Sequence, residues 1–259
     1  MLEDFIVQSN QAQSGEDLFN LFEQQVKNYG YDRVIYCLLT DHLSLGLNAQ
    51  HGVFSTYPND WLEHYKNNAY HRTDPVLRKG YTAASPFLWE DVSNDPQLST
   101  DAKKVMNEAQ DAKLYNGIGI PIRGSFFEIA GFGIASSEKN VDANANTLCI
   151  LHFMSLQFYT VINSLISKIE QNKPVKLTKR EQDILLWATE GKSDSVIADI
   201  LGIRHSTVRF HFKNIFAKLQ VNERTLAVVK AIRLGLIIPQ TVRTPLNLDS
   251  YQTDKNLTI

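Results

Sequence analysis

Long hydrophobic runs and export signals are missing from this chain of 259 residues. No stretch of about eighteen consecutive apolar residues occurs, which predicts that the chain does not span a membrane. The first ten residues, MLEDFIVQSN, are acidic and lack the basic and then apolar pattern of a secretory signal peptide. Together these absences predict a cytoplasmic protein with no membrane partner.

Cysteine is scarce, with two residues in the whole chain. Cys37 and Cys149 each lie in an apolar run of the sequence. The sequence permits a disulfide between them, but we interpret them as two reduced core thiols of a cytosolic protein.

Patterns that mark common enzyme and metal sites are also missing. The seven histidines are scattered, and neither HxH nor HExxH spacing occurs. No G-x-S-x-G nucleophile elbow is present, and nothing organises the Asp and Glu pairs as a catalytic dyad. The sequence therefore predicts no catalytic residues, no metal site and no cofactor.

Charge is divided unevenly along the chain. Residues 1–170 contain 12 Lys and Arg against 20 Asp and Glu, whereas residues 171–259 contain 14 against 8. The net charges of these two parts are −8 and +6. A basic C-terminal third indicates that a polyanion binds there, although chance segregation of surface charge would look the same.

Helix-like and strand-like stretches alternate over the first 140 residues, which favours a sheet flanked by helices. The predicted helices cover residues 16–28, 61–70 and 100–113, and the predicted strands cover 34–39, 117–122 and 129–135.

A long helix is predicted from an N-cap at Asp142 to about Gln171. Its apolar residues recur in alternating steps of three and four, with Ser155 as the one polar interruption. This spacing is typical of a coiled-coil seam, but a helix packed on its own domain would show it too. The apolar residues are Leu148, Leu151, Phe158, Ile162, Leu165 and Ile169.

A helix-turn-helix is predicted beyond the linker-like Gln171-Asn172-Lys173-Pro174. Thr178 and Glu181 form a capping box at the start of a first helix. A second helix, over residues 194–201, is followed by a turn at Gly202 and a third helix over 205–219. The predicted buried residues are Val196, Ile197, Ile200 and Leu201 on the second helix, and Val208, Phe212, Ile215 and Leu219 on the third.

The third helix has the character of a recognition helix that enters the major groove of DNA. Arg209 is predicted to donate two hydrogen bonds to guanine, and Lys213 to reach a base or a phosphate. A solvated charged face is the alternative, and the glycine turn with its flanking helices outweighs it. The other predicted DNA-binding residues are His205, Ser206 and Asn214, with Lys192, Arg204, Lys218 and Arg224 as phosphate contacts.

The last predicted helix, over about residues 224–234, ends at Gly235. It could pair with its copy in a second subunit or complete the core of its own domain.

Residues 177–238 resemble the DNA-binding domain of LuxR-type regulators. One departure is Arg204, where the family commonly has a serine that caps the recognition helix. Ser206 could cap a later start of this helix, or Arg204 could add a phosphate contact. The resemblance rests on Leu177-Thr178, Arg180-Glu181, Leu185, Gly191-Lys192-Ser193, Ile197-Ala198, Leu201-Gly202-Ile203, Thr207-Val208, His211, Asn214-Ile215, Lys218-Leu219, Arg224, Ala227 and Gly235-Leu236-Ile237.

The preceding region does not show the paired acidic residues and strand-end Asp of a phosphorylated receiver domain. It is instead similar to the acyl-homoserine-lactone-binding domain of quorum-sensing LuxR-type proteins. This similarity rests on Tyr57-Pro58, Trp61, Tyr65, Asp74-Pro75 and Trp89-Glu90, with Gly117 and Pro121 at later positions.

The resemblance implies a role for each of these residues. Trp61 would donate its indole N–H to the lactone carbonyl, Asp74 would accept from the amide N–H, and Tyr57 would donate to the amide carbonyl. Tyr65 and Trp89 would pack against the acyl region and the lactone ring, although either could be a plain core aromatic. Asp74 and Pro75 could form only a turn, but the order of the surrounding residues favours a buried carboxylate that accepts a hydrogen bond.

The rest of the expected pocket follows from the same resemblance. Val76, Cys37 and Gly119 would line it. A second partner of the amide carbonyl, often Ser or Thr in the family, is missing here, because the nearest candidates are Gly133 and Ile134.

These expectations describe an α+β protein with an N-terminal α/β/α sandwich and a C-terminal domain of four helices. The expected domains are an autoinducer-binding domain over 1–170, a linker over 171–176, the DNA-binding domain over 177–240 and a flexible tail over 241–259. The implied protein is a homodimeric transcription factor whose partners are an acyl-homoserine lactone, an inverted-repeat site in double-stranded DNA and RNA polymerase.

Two alternatives stay open. One is a regulator without its own signal synthase that answers a related or non-lactone molecule. The other is a metabolite sensor that works through protein partners and has a degenerate DNA-binding domain.

Overall fold

A computed structural model of the protein describes residues 2–43, 46–141, 143–169 and 175–239. The chain divides into two units, Met1–Asn172 and Lys173–Ile259. The predicted N-cap Asp142, the predicted break at residues 171–174 and the predicted tail over 241–259 lie outside the described residues.

Five strands of the described chain form one antiparallel sheet in the first unit. Its spatial order is β2-β1-β5-β4-β3, so β1 and the β4–β5 hairpin lie at its centre. The strands are β1 (Arg33–Leu38), β2 (Gln50–Ser55), β3 (Phe87–Leu88), β4 (Tyr115–Arg123) and β5 (Ile129–Ser136).

Helices cover both faces of this sheet. Ser14 accepts a hydrogen bond from the backbone N–H of Asp17 at the start of α2, and Ser99 accepts one from Ala102 at the start of α6. The helices are α1 (Leu2–Ser9), α2 (Gly15–Lys27), α3 (Asn59–Asn67), α4 (Pro75–Thr82), α5 (Trp89–Ser93), α6 (Thr100–Asp111) and α7 (Ala145–Ile169).

The alternation of residues along β1 builds two cores. Tyr36 belongs to the core under α1, α2 and α7, while its neighbours Ile35 and Cys37 belong to the core under α3 and α6. The first of these cores is aromatic: the Phe22 ring stacks on Phe132 with centroids 4.5 Å apart. The predicted three-layer α/β/α sandwich is confirmed.

Helix α7 packs on its own domain through the predicted apolar seam. Leu151, Phe158 and Ile162 are buried in the aromatic core, and the buried hydroxyl of Ser155 donates to the carbonyl oxygen of Leu151 at 2.8 Å. Among the described residues, α7 is long and apolar enough to cross a membrane, which core helices of soluble proteins also are. Its outer face leaves Phe153 56% exposed.

Two predictions for the first unit need correction. The helix expected over residues 61–70 ends at Asn67, because Ala69 adopts a left-handed backbone with φ of 52° and a short 3₁₀ turn, Tyr70–Arg72, follows. Strands β2 and β3 were not predicted, because β2 is a partly exposed edge strand and β3 has two residues.

The described part of the second unit contains four helices around one core, as predicted. Both halves of the capping box form: Thr178 Oγ1 accepts from the Glu181 N–H at 3.3 Å, and Glu181 Oε2 accepts from the Thr178 N–H at 2.7 Å. The helices are α8 (Lys179–Thr189), α9 (Asp194–Leu201), α10 (His205–Leu219) and α11 (Arg224–Arg233).

The predicted burial of helix α9 is partly wrong. Val196 is 41% and Ile200 is 43% exposed, whereas Ile197 and Ala198 are buried. A helix of eight residues presents one narrow face to its neighbours, and the i, i+4 pair Val196 and Ile200 lies outside that face.

We expect Thr178→Ala to destabilise helix α8 by about 1 kcal/mol, because it leaves the Glu181 N–H without its cap. Hydrogen exchange of the α8 amides in the full chain measures the loss. Thr160→Ala is the control, since that exposed hydroxyl donates to the Leu156 carbonyl oxygen within α7 of the first unit. Unchanged α8 protection in Thr178→Ala would contradict the assigned cap.

Candidate ligand pocket and nucleic-acid interface

A cavity of about 70 Å³ lies between the sheet and helices α3, α4, α5 and α6. The structure brings all eight predicted ligand-binding residues into its lining, although they come from five different elements and from the loops before α3 and α4. These residues are Cys37, Tyr57, Trp61, Tyr65, Asp74, Val76, Trp89 and Gly119. Their contacts with a ligand stay a prediction.

Asp74 is held by three hydrogen bonds on one wall of the cavity. Its Oδ1 accepts from the backbone N–H groups of Val76 at 2.7 Å and Leu77 at 3.2 Å, so it caps helix α4, with Pro75 as the first helical residue. Its Oδ2 accepts from the Tyr65 hydroxyl at 2.8 Å. Asp74 and Pro75 therefore start a helix and do not form only a turn.

Burial governs the ionisation of this pair. Burial raises the pKa of the Asp74 carboxyl above its ordinary value, against the opposing effect of the hydrogen bonds that the carboxylate accepts. Burial and the neighbouring Asp74 carboxylate raise the pKa of Tyr65 as well, so its phenol remains a donor. The carboxylate is thus an acceptor whose removal from water costs free energy.

Two polar atoms of the cavity lining are buried without a hydrogen-bond partner among the described residues: Tyr57 Oη and Trp89 Nε1. Both side chains meet at Gly133. A Cβ built on Gly133 would lie 2.8 Å from Tyr57 Oη and 3.5 Å from Trp89 Cζ2. An unpaired buried polar atom costs about 1–3 kcal/mol, which a bound group that pairs with it would recover.

Gly119 on β4 and Gly131 and Gly133 on β5 form the floor of the cavity, and Gly117 on β4 supports the Trp89 ring. A Cβ on Gly117 would lie 1.9 Å from the Trp89 ring, and one on Gly119 would lie 2.3 Å from the Phe87 ring. Both aromatic side chains therefore lie directly against the strand backbone, a contact that any larger residue at these positions would prevent.

His51 is a lining residue that the sequence did not reveal. Its ring stacks on Tyr65 with centroids 4.6 Å apart and planes 5° from parallel. It lies on the unpredicted edge strand β2, so no periodic pattern pointed to it. Trp61 packs edge-on against the same Tyr65 ring at 5.8 Å.

Glu108 joins α6 to the chain that surrounds Trp61. It accepts hydrogen bonds from the Tyr70 hydroxyl at 2.5 Å and from His64 Nε2 at 2.7 Å. The hydrogen bond from Tyr70, with the one from His64, lowers the pKa of Glu108. These contacts hold α3 and the following turn against α6, over the cavity.

The helix-turn-helix of the second unit runs from α9 through Gly202, whose φ is +64°, to α10. His205, Ser206, Arg209 and Lys213 are exposed on α10, and Asn214 is half-buried. Lys192, which precedes α9, and Arg204, which precedes α10, are also exposed. Phe210, which no sequence pattern singled out, is 60% exposed between these polar residues.

The recognition helix starts at His205 with Arg204 as its N-cap, and no side chain caps it. Ser206 lies inside the helix, so the expectation that it caps a later start is wrong. Arg204 is exposed at this position, so its contact with a phosphate stays a prediction.

Two predicted phosphate contacts have partners inside the protein. Lys218 Nζ lies 2.7 Å from Glu181 Oε2, which ties α10 to the capping box. Arg224 pairs with Asp194 at 2.5 Å, donates to the Lys192 carbonyl oxygen and lies over the Phe212 ring at 4.9 Å. Both side chains thus brace helices, and their contacts with phosphates stay a prediction.

Family models match both units of the chain. The autoinducer-binding domain matches residues 14–161, more than half of the chain, and the model of bacterial regulatory proteins of the luxR family matches residues 175–231.

Curated relatives match over nearly the full length. The transcriptional activator protein BjaR1 of Bradyrhizobium diazoefficiens is 31% identical, over 91% of this chain and 96% of its own. The quorum-sensing regulator RhlR of Pseudomonas aeruginosa is 29% identical, over 86% of this chain and 90% of its own.

Among solved structures, Escherichia coli SdiA superposes with a TM-score of 0.74 at 20% identity, over 92% of this chain and 98% of that one. SdiA in complex with octanoyl-rac-glycerol superposes with a TM-score of 0.73 at 20% identity, over 91% and 94%. At this identity the likeness concerns the fold.

We expect Gly133→Ala to destabilise the first unit by about 1–3 kcal/mol, because its Cβ would crowd Tyr57 Oη and Ile35 Cγ2. Adding Tyr57→Phe removes one of these two contacts, so the double variant should recover part of the loss in urea unfolding. Gly80→Ala is the control, since its Cβ meets only the flexible end of Leu39. Equal losses with and without Tyr57→Phe would show that the two positions are not in contact.

Proposed function

Since the chain belongs to the LuxR family of bacterial regulatory proteins, we propose that its first unit binds an acyl-homoserine lactone and that a homodimer binds an inverted-repeat promoter site. The family consists of transcriptional regulators and not of enzymes, and the autoinducer-binding domain takes a small-molecule ligand and not a cofactor.

The arrangement of polar atoms around the cavity carries the ligand proposal. The Asp74 carboxylate is an acceptor in the lining, and Tyr57 Oη and Trp89 Nε1 have no hydrogen-bond partner among the described residues. An acyl-homoserine lactone has an amide N–H for Asp74 and an amide carbonyl for Tyr57. Its lactone carbonyl would accept from the indole N–H of Trp61.

Trp89 has an added role in this proposal. At Gly133 the chain has no hydroxyl side chain that could donate to the ligand. The Trp89 indole N–H, which is buried beside Gly133, supplies the second donor for the ligand's amide carbonyl or for an oxygen on its acyl chain.

Ligand would act by stabilising the first unit, because a molecule that binds only the folded state shifts unfolding by mass action. On the helical side of the cavity, neighbouring segments are joined by side-chain contacts such as the Asp74–Tyr65 hydrogen bond, which connects the start of α4 to α3. A ligand that pairs with Asp74, Tyr57 and Trp61 would join these segments to one another.

We expect acyl-homoserine lactones to raise the Tm of the wild type, and Trp61→Phe and Tyr57→Phe each to weaken the Kd about tenfold or more, since each removes one donor. A panel of lactones with short and long acyl chains, read by thermal shift and titration, measures this. Tyr115→Phe, a tyrosine outside the cavity lining, is the matched control.

The outcomes separate the parts of the proposal. If no lactone in the panel stabilises the wild type, the lactone proposal is wrong. If lactones bind but Trp61→Phe and Tyr57→Phe bind them equally well, the assigned donors are wrong.

A second ligand class is favoured by one observation, the missing hydroxyl at position 133. It is a related or non-lactone acyl compound, detected by a regulator without its own synthase. Octanoyl glycerol, which occupies SdiA in a solved complex, belongs in the panel for this reason. A rise in Tm with this compound alone would favour the second class.

DNA binding is proposed for the second unit on the exposed face of α10. Arg209 and Lys213 are free to reach bases there, within a part of the chain whose net charge is +6. The exposed cations argue against a degenerate domain that works only through protein partners.

Dimerisation is proposed through two helices that each leave one apolar face exposed. On α7 this face includes Phe153 and Leu156, and on α11 it includes Leu226 and Val229. The opposite face of α11 buries Ala227 and Ala231 in its own core, so both uses foreseen for this helix are compatible. We further propose that the dimer is an activator, as the name of the transcriptional activator protein BjaR1 suggests, and that it acts in the cytoplasm and contacts RNA polymerase.

We expect lactone-loaded protein to select a two-fold symmetric site from a randomised duplex library. Arg209→Ala should weaken binding to the selected site by about 1–3 kcal/mol per contacted guanine. Lys103→Ala, a change of equal charge at an exposed residue of α6 in the first unit, is the control. Retention of full specific affinity by Arg209→Ala in gel-shift titrations would exclude Arg209 as a base contact.

A further inference from the structure

Phe210 occupies the centre of the outward face of α10. The helix buries Val208, Phe212, Ile215 and Leu219. At about 100° per residue, Phe210 lies roughly 170° from the middle of that buried face. It is 60% exposed, the largest exposed apolar side chain on this helix.

Phe210 has little part in the packing of the second unit. Its ring lies beside that of its neighbour His211, at 6.0 Å between centroids. It is absent from the buried core that the described residues of this unit form. An exposed aromatic ring that does not support the core points to a partner that covers it.

The neighbours of Phe210 indicate which partner this is. Ser206 lies one turn before it and Lys213 about one turn after it, and both are exposed on the same side of the helix. Arg209 lies beside it at the edge of a depression bordered by Asp194 and Arg224. Phe210 therefore lies inside the face that the proposed function assigns to DNA, and any role for it in recognition rests on that proposed function.

The major groove offers one apolar group, the C5-methyl of thymine, and a phenylalanine ring is among the side chains that pack on it. Phe210 is the sixth residue of α10, in the N-terminal half that reaches base edges in helix-turn-helix proteins. We propose that Phe210 is a specificity-determining residue that packs on a thymine methyl group in each half-site, next to the bases read by Arg209 and Lys213.

This role differs from that of the cations. Phe210 displaces no counterion, so it adds nothing to the salt dependence of binding, whereas each cation that neutralises a phosphate does. Its contribution is apolar contact, so it depends on a methyl group and on ring area.

The test uses the full-length, lactone-loaded protein and the duplex that the wild type selects from a randomised library. Each dT of the half-sites is replaced in turn by dU, which removes only the C5-methyl group. At one dT position in each half-site, the replacement should weaken wild-type binding about fourfold. This factor is the effect of burying one methyl group.

Phe210→Ala should bind the dT duplex more weakly than the wild type does. It should also bind the matching dU duplex as tightly as the dT duplex. Phe210→Leu, which keeps an apolar side chain, should keep part of the preference for dT. The salt slope should be unchanged in Phe210→Ala and lower by about one in Lys213→Ala if that residue holds a phosphate. Phe127→Ala is the matched control, since Phe127 is 75% exposed in the first unit.

Three results would overturn the inference. Wild-type protein could bind every dU duplex as tightly as its dT duplex, or Phe210→Ala could keep the wild-type ratio of dT to dU affinity. Phe210→Ala could also bind DNA as the wild type does and fail only in transcription with RNA polymerase, which would make Phe210 a protein contact. If the wild type selects no site at all, the proposed DNA-binding function is wrong, and the role inferred for Phe210 is wrong as well.

Discussion

The Asp74 carboxylate is the interaction on which the first unit and its cavity both depend. One oxygen caps helix α4 through two backbone N–H groups, and the other holds the Tyr65 hydroxyl. Tyr65 in turn supports the rings of His51 and Trp61. A carboxylate buried against its own preference for water is tolerated because three donors surround it. The same atoms that start a helix therefore define the polar wall of the cavity.

Much of this arrangement could be predicted from the sequence, and particular residues show why. The apolar run of β1 and the three- and four-residue spacing on α7 are patterns within a short stretch of sequence, and such a pattern can be recognised without knowledge of its partners. The capping box of Thr178 and Glu181 is local, so its four participating atoms could be named in advance. Likewise the order Tyr57, Trp61, Tyr65, Asp74, Trp89 placed five residues that the structure brings into one lining.

Other features depend on contacts that no local pattern encodes. His51 reaches the cavity from an edge strand whose pairing with β1 is set by the tertiary fold. Lys218 and Arg224 carry charges that suit DNA, but acidic residues distant in sequence, Glu181 and Asp194, lie close to them in space. The apolar pair on α9 was expected to be buried because hydrophobic residues usually are, yet the short helix has one buried face. In each case the deciding neighbour lies far away in the sequence.

The glycine floor of the cavity limits how its specificity can change over evolutionary time. Glycine is already the smallest residue, so mutation at positions 119, 131 or 133 can only take room away. A descendant that recognises a bulkier signal must gain that room from the helical side, through residues such as Leu77 and Met106. The sheet thus acts as a fixed template, and the helices that cover it are where new signal preferences can arise.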